Sequence, residues 1–129
     1  MSTRYPNDTL QRLERRARGE GNSRSALIQR YVAEGLEMDE QPGIVFRSGP
    51  SGRRPGLTAG PDVWEVIAVH RSFGDPERTA AWLDLTPGAV SAALGYYEAH
   101  RDEIDAWIRR NEEAAEAAER MWGARQATA

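Results

Sequence analysis

The side chains best suited to chemistry are His100 and the acids Asp102, Glu103 and Asp105, which fall within six consecutive positions. An imidazole beside carboxylates could hold a metal ion or exchange protons with a substrate. Acids are also expected where a helix begins, because they complement the positive end of its dipole. No second histidine ligand or nucleophile pair accompanies them in the sequence. We therefore predict no enzyme activity, no catalytic site, no metal site and no cofactor.

Composition restricts the class of protein further. The 129 residues suffice for one ordinary domain or two very small ones, and a hydrophobic content of 40% can bury a core. Cysteine is absent, which excludes disulfides and thiolate chemistry. No run approaches the roughly 18 to 20 apolar residues of a membrane span, and no signal-peptide pattern opens the chain. We expect a cytoplasmic protein with no membrane partner.

The net charge of −3 conceals an asymmetry along the chain. Residues 1–60 contain ten arginines and seven acids, a net charge of +3, whereas residues 61–129 contain seven arginines and thirteen acids, a net charge of −6. Such a split predicts two halves with different partners, and the basic half is the candidate for binding nucleic acid.

The N-terminal third predicts two short amphipathic helices. Pro6 favours the first turn of a helix, and Leu10 and Leu13 lie on one face of it. The run at residues 19–22 breaks this helix, and Ser23 is a suitable N-cap for the next one. The predicted buried face of the second helix consists of Leu27, Ile28, Tyr31, Val32 and Leu36.

A short strand at residues 2–5 precedes these helices, which cannot close a core by themselves. A lone strand can pair with the same strand of a second subunit, and the resulting antiparallel ribbon is wide enough to enter the DNA major groove. Alternation along the strand would direct Thr3 and Tyr5 into the dimer core and Ser2 and Arg4 towards the bases, where arginine commonly reads guanine. Free backbone N–H groups that would bind a phosphate open the second helix, at Asn22, Ser23 and Arg24.

The segment TRYPNDTLQRLERRARGEGNSRSALIQRYVAEGL resembles the ribbon-helix-helix family of dimeric DNA-binding proteins, of the CopG, Arc and MetJ type. The match covers about the first 38 residues, and NSRS at the second helix start is its most specific part. The resemblance implies base contacts from Ser2 and Arg4 and backbone contacts from Asn22, Ser23, Arg24 and Ser25. The predicted dimer core consists of Thr3, Tyr5, Leu10, Leu13, Leu27, Ile28, Tyr31 and Val32. The alternative is a plain amphipathic helical hairpin with arginines that serve solubility.

The segment at residues 41–61 is rich in glycine and proline, so it could be a flexible linker. However, residues 43–47 favour a β-strand, and residues 53–58 could return beside them after a turn. We predict a hairpin here. Its three arginines, Arg47, Arg53 and Arg54, have no acidic neighbours in the sequence and could contact DNA or an acidic partner.

Three helix starts follow, at Asp62, at Asp75-Pro76-Glu77 and at Thr86-Pro87. The last two helices, joined by a short connection, resemble a helix-turn-helix. The second of them offers no arginine to read bases near its start, so we expect it to pack or to bind a partner.

Residues 43 to about 108 resemble a family of small winged-helix-like antitoxin domains. The resemblance rests on DVWEV at 62–66, on the pattern LT-x-x-x-V-x-x-AL-x-YY at 85–97 and on H-x-DEID at 100–105. Members of this family usually sit beside a PIN-like (VapC-type) toxin. The resemblance therefore implies a PIN-like ribonuclease as the protein partner of this chain.

The C-terminal segment predicts a helix that continues to about Trp122. An alanine-rich seam that ends in a large aromatic side chain and is flanked by acids suits a groove on a basic protein, such as a nuclease. The same seam could instead fold back over the core of its own domain, an alternative that stays open for its first residues. The predicted partner-binding residues are Trp107, Ile108, Ala115, Met121 and Trp122.

These features predict a mainly α protein in four segments. Residues 1–39 would form a ribbon-helix-helix that makes an intertwined dimer, and residues 40–60 a linker or hairpin. Residues 61–100 would form a helical, winged-helix-like domain, and residues 101–129 a partner-binding helix and tail. We expect an antitoxin of a type II toxin-antitoxin pair that binds its own operator DNA as a homodimer or a higher oligomer and neutralises a PIN-like ribonuclease. The alternative is a stand-alone dimeric transcriptional regulator.

Overall fold

The computed structural model describes residues 4–128 and divides the chain into two compact units, residues 1–40 and residues 41–129. Six α-helices and one two-stranded antiparallel hairpin make up the regular structure of the described part. Over the same residues, no helix is both long and apolar enough to cross a membrane. The chain is therefore mainly helical, as predicted, with the predicted hairpin in its middle.

Unit 1 consists of helices α1 (Asn7–Glu20) and α2 (Arg24–Glu40). Helix α1 ends at Gly21, whose φ of 68° is a left-handed conformation that glycine adopts without strain. The hydroxyl of Ser23 accepts a hydrogen bond of 3.1 Å from the backbone N–H of Ala26, so Ser23 caps α2 as predicted. Local turn chemistry therefore fixes where one helix stops and the next begins.

Unit 1 buries few apolar side chains. Ala17 and Leu27 are its buried hydrophobic residues within the described part, at 4% and 0% exposure. Of the predicted buried face of α2, Leu27 is buried and Ile28 is half-buried. The other members, Tyr31, Val32 and Leu36, are exposed. Two helices in one chain thus leave much of an apolar face uncovered.

Unit 2 begins with the hairpin, in which β1 (Ile44–Gly49) pairs with β2 (Gly52–Leu57). The register places Ile44 opposite Leu57, and both side chains are buried. The connection at residues 50 and 51 is therefore a tight turn. The glycine- and proline-rich segment forms an ordered hairpin instead of a linker, because β-forming residues flank its turn residues.

Four helices complete unit 2: α3 (Val63–Phe73), α4 (Pro76–Leu83), α5 (Pro87–Ala99) and α6 (Arg101–Thr128). The side chain of Asp75 caps α4 and that of Thr86 caps α5, each with proline at the first helical position. Helix α6 extends past the predicted end near Trp122. The hairpin and the helices enclose one core, which contains Ile44, Leu57, Val63, Val66, Ile67, Ala80, Val90, Ala93, Tyr96, Ile104 and Ile108.

Asp62 joins the hairpin to the helices of unit 2. Its side chain is largely buried and accepts hydrogen bonds from the Nε atom of Arg54 and, at 3.2 Å, from the indole N–H of Trp64. Nη1 of Arg47 lies 3.7 Å from Oδ1 of Asp62, and the Arg47 guanidinium also donates to the carbonyl oxygens of Leu57 and Gly60. These two arginines have no acidic neighbours in the sequence, but the fold brings Asp62 to them.

We predict that Asp62→Ala lowers the free energy of unfolding of unit 2 by about 2–4 kcal/mol, because it leaves two partly buried guanidinium groups without their counter-charge. All four tryptophans lie at positions 64, 82, 107 and 122, so tryptophan fluorescence in a urea titration reports on unit 2. The control is Asp84→Asn, an exposed site with left-handed backbone that asparagine tolerates. Equal unfolding midpoints for the two variants would contradict the role given to Asp62.

Candidate nucleic-acid and partner interfaces

A groove of about 350 Å³ in unit 1 brings together two of the residues predicted to contact DNA. Arg4 and Arg24 line it, with Tyr5, Leu10 and Ile28 as its apolar part. Arg4 and Tyr5 are exposed and lie outside regular secondary structure. The predicted base-reading residue Ser2 and the predicted core residue Thr3 lie outside the described residues. Two cationic side chains from separate parts of the sequence therefore face one groove.

The start of α2 offers free hydrogen-bond donors next to that groove. The first intrahelical hydrogen bond runs from the N–H of Leu27 to the carbonyl of Ser23, and the hydroxyl of Ser23 accepts a hydrogen bond from the N–H of Ala26. The N–H groups of Arg24 and Ser25 precede these bonds, so the helix itself supplies no acceptor for them. Asn22, Ser23, Arg24 and Ser25 are all exposed. Such a helix start can hold an anionic oxygen, for instance that of a phosphate.

Glu14 forms an ion pair with Arg24, one of the two arginines that line the groove. Its carboxylate lies 3.0 Å from Nη1 of Arg24, and both side chains are about half exposed. Sequence analysis missed this contact because the two residues lie on different helices, ten positions apart. A phosphate at the start of α2 would have to share Arg24 with Glu14 or displace it.

The unit boundaries change the meaning of the charge asymmetry. Residues 1–40 contain seven arginines and seven acids, so the positive excess of residues 1–60 comes from the three hairpin arginines. Two of those arginines are paired with Asp62. Within unit 1, however, residues 1–30 contain seven arginines and three acids, whereas residues 31–40 contain four acids and no arginine. The positive charge of unit 1 is thus confined to Arg4, α1 and the first half of α2.

The residues predicted to form a dimer core fall into three groups by exposure in the single chain. Leu27 is buried, whereas Leu10, Leu13 and Ile28 are half-buried. The exposed ones, with the relative solvent exposure of each residue, are Tyr5 at 41%, Tyr31 at 43% and Val32 at 56%.

The first turns of α6 belong to the core of unit 2. Ile104, Trp107 and Ile108 recur at helical spacing and are 0%, 6% and 3% exposed. The guanidinium of Arg110 covers the Trp107 ring at 3.9 Å from its centroid. We therefore correct the prediction that Trp107 and Ile108 bind a partner. Apolar residues recur at the same helical spacing whether they pack in the core of their own domain or bind a partner, so the sequence could not distinguish these two roles.

A polar cluster fixes the direction in which α6 leaves the core. Arg71 on α3 donates to the carboxylate of Asp105 and to the hydroxyl of Tyr97, and that hydroxyl donates to Asp105 at 2.8 Å. The hydrogen bond to Tyr97, together with the charge of Asp105, raises the pKa of the Arg71 guanidinium, which stays charged. Glu103 accepts a hydrogen bond of 3.0 Å from the buried hydroxyl of Tyr96. Two of the acids that first suggested chemistry therefore hold helices together.

The second half of α6 is uncovered. From residue 112 to residue 127 every side chain is exposed except that of Ala117, which is half-buried. Among these residues are the predicted partner-binding side chains Ala115, Met121 and Trp122, the last two being 63% and 64% exposed. Large apolar side chains that reach into solvent on a bare helix are typical of a surface that binds a partner.

The sequence analysis missed an aromatic pair on unit 2, in which Trp82 is exposed and Phe73 is half-buried. Trp82 on α4 is 71% exposed, and its ring lies 5.7 Å from that of Phe73 at the end of α3. Arg78 stacks over the Phe73 ring. The sequence analysis assigned no role to Trp82, because the exposure of its side chain depends on how α4 packs in the fold.

Comparison with known proteins finds no family model that matches the chain, and no curated protein or solved structure with significant similarity to it.

We predict that Arg4→Ala weakens binding to DNA from upstream of the protein's own gene by about 1–3 kcal/mol and relaxes its base preference. The loss of a base-reading arginine removes two hydrogen bonds to one base pair. Arg18→Ala is the matched control, because it removes the same charge from an exposed site on α1. A titration against operator and scrambled duplexes in which both variants lose equal affinity would refute the assignment.

We also predict that Glu14→Gln raises DNA affinity about two- to fivefold at low salt, because it frees Arg24 and removes a negative charge beside the expected phosphate. Glu98→Gln makes the same change of charge at an exposed site of α5 and should leave affinity unchanged. The gain should shrink as salt rises, since screening weakens both effects. If Glu14→Gln left the affinity for DNA unchanged, that result would contradict a contact between Arg24 and DNA.

Proposed function

We propose that this protein is the antitoxin of a type II toxin-antitoxin pair. Unit 1 binds operator DNA as a ribbon-helix-helix homodimer, and unit 2 neutralises a PIN-like ribonuclease. The observation that carries the antitoxin proposal is the uncovered second half of α6. The two family resemblances point in the same direction.

The uncovered half of α6 gains little stability from tertiary packing. Residues 112–128 span about 25 Å at 1.5 Å per residue, and isolated helices of about this length are only marginally stable in water. Between residues 112 and 127, the side chain of Ala117 is half-buried and the others are exposed. Binding in the groove of a partner supplies the packing that such a helix needs.

The chemistry of this segment selects a basic partner. Met121 and Trp122 provide large apolar anchors of the kind that dominate the binding energy of an interface. Glu112, Glu116 and Glu119 are exposed along the same segment. A ribonuclease must hold an anionic RNA backbone, so its basic surface is a suitable receptor for a helix of this charge.

The DNA-binding part of the proposal rests on unit 1. Arg4 and Arg24 line one groove, and free N–H groups open α2 beside it. The exposed Tyr31 and Val32 need a second copy to cover them. Residues 2–5 of two copies would form the ribbon, with Ser2 and Arg4 towards the bases and Thr3 and Tyr5 towards the dimer core.

A stand-alone dimeric regulator is the second candidate, and one observation favours it. Asn111, Ala115, Ala118 and Trp122 recur at spacings of four, three and four, the pattern of a coiled-coil seam. Small alanine side chains would let two such helices approach closely. In this case the uncovered half of α6 pairs with the same helix of another copy.

The test is affinity capture with the full-length tagged protein from native lysate, followed by identification of the bound proteins and a ribonuclease assay of the complex. We expect a small nuclease in near-stoichiometric amount, inactive until the complex is dissociated. Replacement of both Met121 and Trp122 by serine should reduce its recovery at least tenfold, because the anchors are lost. Operator binding should persist in that variant.

Trp82→Ser is the matched control, since it removes an equally exposed tryptophan from a different helix of the same unit. Nuclease recovery that falls equally in this control would argue against a specific role for α6. Capture of the protein and DNA alone, with an oligomer that dissociates in the Met121 and Trp122 variant, would favour the stand-alone regulator.

A further inference from the structure

A second groove in unit 1 carries positive charge and takes no part in the DNA contacts proposed above. It has a volume of about 670 Å³ and is lined by Thr9, Arg12, Leu13, Arg15, Arg16 and Tyr31. Leu13 is half-buried and Tyr31 exposed, so the groove contains apolar surface between its arginines. It lies apart from the groove of Arg4 and Arg24, with which it shares no lining residue.

Its arginines are weakly neutralised within the chain. Arg12 lies 3.9 Å from Asp8, and both side chains are more than two-thirds exposed, so solvent screens their attraction. Arg16 lies 3.6 Å from Glu20. Arg15 forms no ion pair with any residue of the described part of the chain. The groove therefore suits an anionic ligand that also has apolar side chains.

The C-terminal end of α2 has the complementary chemistry. Leu36 and Met38 are exposed at 56% and 41%, and Asp39 and Glu40 follow them in the last turn, where no basic residue stands. Acids at this end of a helix are unfavourable because the dipole is negative there. Neither Asp39 nor Glu40 has an ion-pair partner among residues 4–128. The last turn of α2 contains no basic residue, and no acid is among the residues that line the groove.

One chain cannot bring these two surfaces together. Tyr31 lines the groove, and Met38 lies seven residues further along the same continuous helix, about 10 Å away along its axis. A straight helix cannot fold its own end back into a groove that one of its earlier turns forms. The complementary surfaces must therefore meet between two chains.

We propose that the groove of one copy receives residues 36–40 of α2 from a second copy, and that the second copy reciprocates about a two-fold axis. We name this reciprocal contact the charge clamp. Each clamp places Leu36 and Met38 over Leu13 and Tyr31, and Asp39 and Glu40 among the groove arginines. Because each copy carries both surfaces, the contact is self-complementary and closes at two chains. The charge clamp rests on the homodimer of the proposed function and names the side chains that select its partner.

The test exchanges the charges in full-length protein. The groove variant carries Arg15→Glu with Arg16→Glu, and the tail variant carries Asp39→Arg with Glu40→Arg. Each homodimer then sets like charges against each other at both clamps, so its dissociation constant should rise at least tenfold. A mixture of the two variants sets opposite charges at both clamps, so the heterodimer should form in at least tenfold excess over either homodimer. Native mass spectrometry and sedimentation over a dilution series measure both quantities.

Arg18→Glu is the control, because it reverses an exposed arginine of α1 that does not line the groove, and it should dimerise like the wild type. Recovery of the heterodimer also shows that both variant chains fold. Homodimers of normal stability in both variants would overturn the charge clamp, and so would variants that neither dimerise alone nor recover on mixing.

The outcomes separate the charge clamp from the proposed function. A wild-type dimer that binds operator DNA while the charge exchange has no effect would overturn the charge clamp alone. A charge-selected heterodimer that binds neither operator DNA nor a nuclease would support the charge clamp and refute the proposed function. A wild-type chain that stays monomeric at every concentration would overturn the charge clamp and the dimer on which it rests.

Discussion

Burial of apolar surface in unit 1 is the constraint on which the rest of the structure depends. A unit of forty residues rarely encloses enough core to be stable without disulfides, metals or oligomerisation, and this one buries Ala17 and Leu27 as its hydrophobic residues in the described part. The exposed stripe on α2 is therefore the expected state of half an interface. The dimer proposed for unit 1 rests on this stripe, because a second copy could cover the exposed side chains of Tyr31, Val32 and Leu36.

Unit 2 buries its apolar core within one chain. Its hairpin closes over the helices, and Asp62 neutralises two hairpin arginines at the seam between them. Arg71 and Tyr97 then hold the first turns of α6 through Asp105. Because the start of α6 is packed and bonded, its second half continues in a fixed direction from the unit. A bare helix that is anchored in this way loses less conformational entropy when it binds than a disordered tail would.

Features set by neighbouring residues could be predicted from the sequence. The caps at Ser23, Asp75 and Thr86 depend on a side chain and a backbone group within three positions. Features set by distant residues could not, such as the pairing of Glu14 with Arg24 or the burial of Trp107. The net charges counted for residues 1–60 and 61–129 are correct, but the positive excess of the first sixty residues comes from hairpin arginines that belong to unit 2. Composition does not reveal the unit boundary at residue 40.

The charges of the two units bear on which unit can approach DNA. Residues 41–129 contain ten arginines and thirteen acids, a net charge of −3, and two of the hairpin arginines already face Asp62. A phosphate backbone would repel such a unit at long range. In unit 1 four of the seven acids lie in the last ten residues of α2, whereas all seven arginines lie in residues 1–30. These charges favour unit 1 over unit 2 for the proposed contact with DNA, and they are compatible with the proposal that unit 2 binds a basic protein.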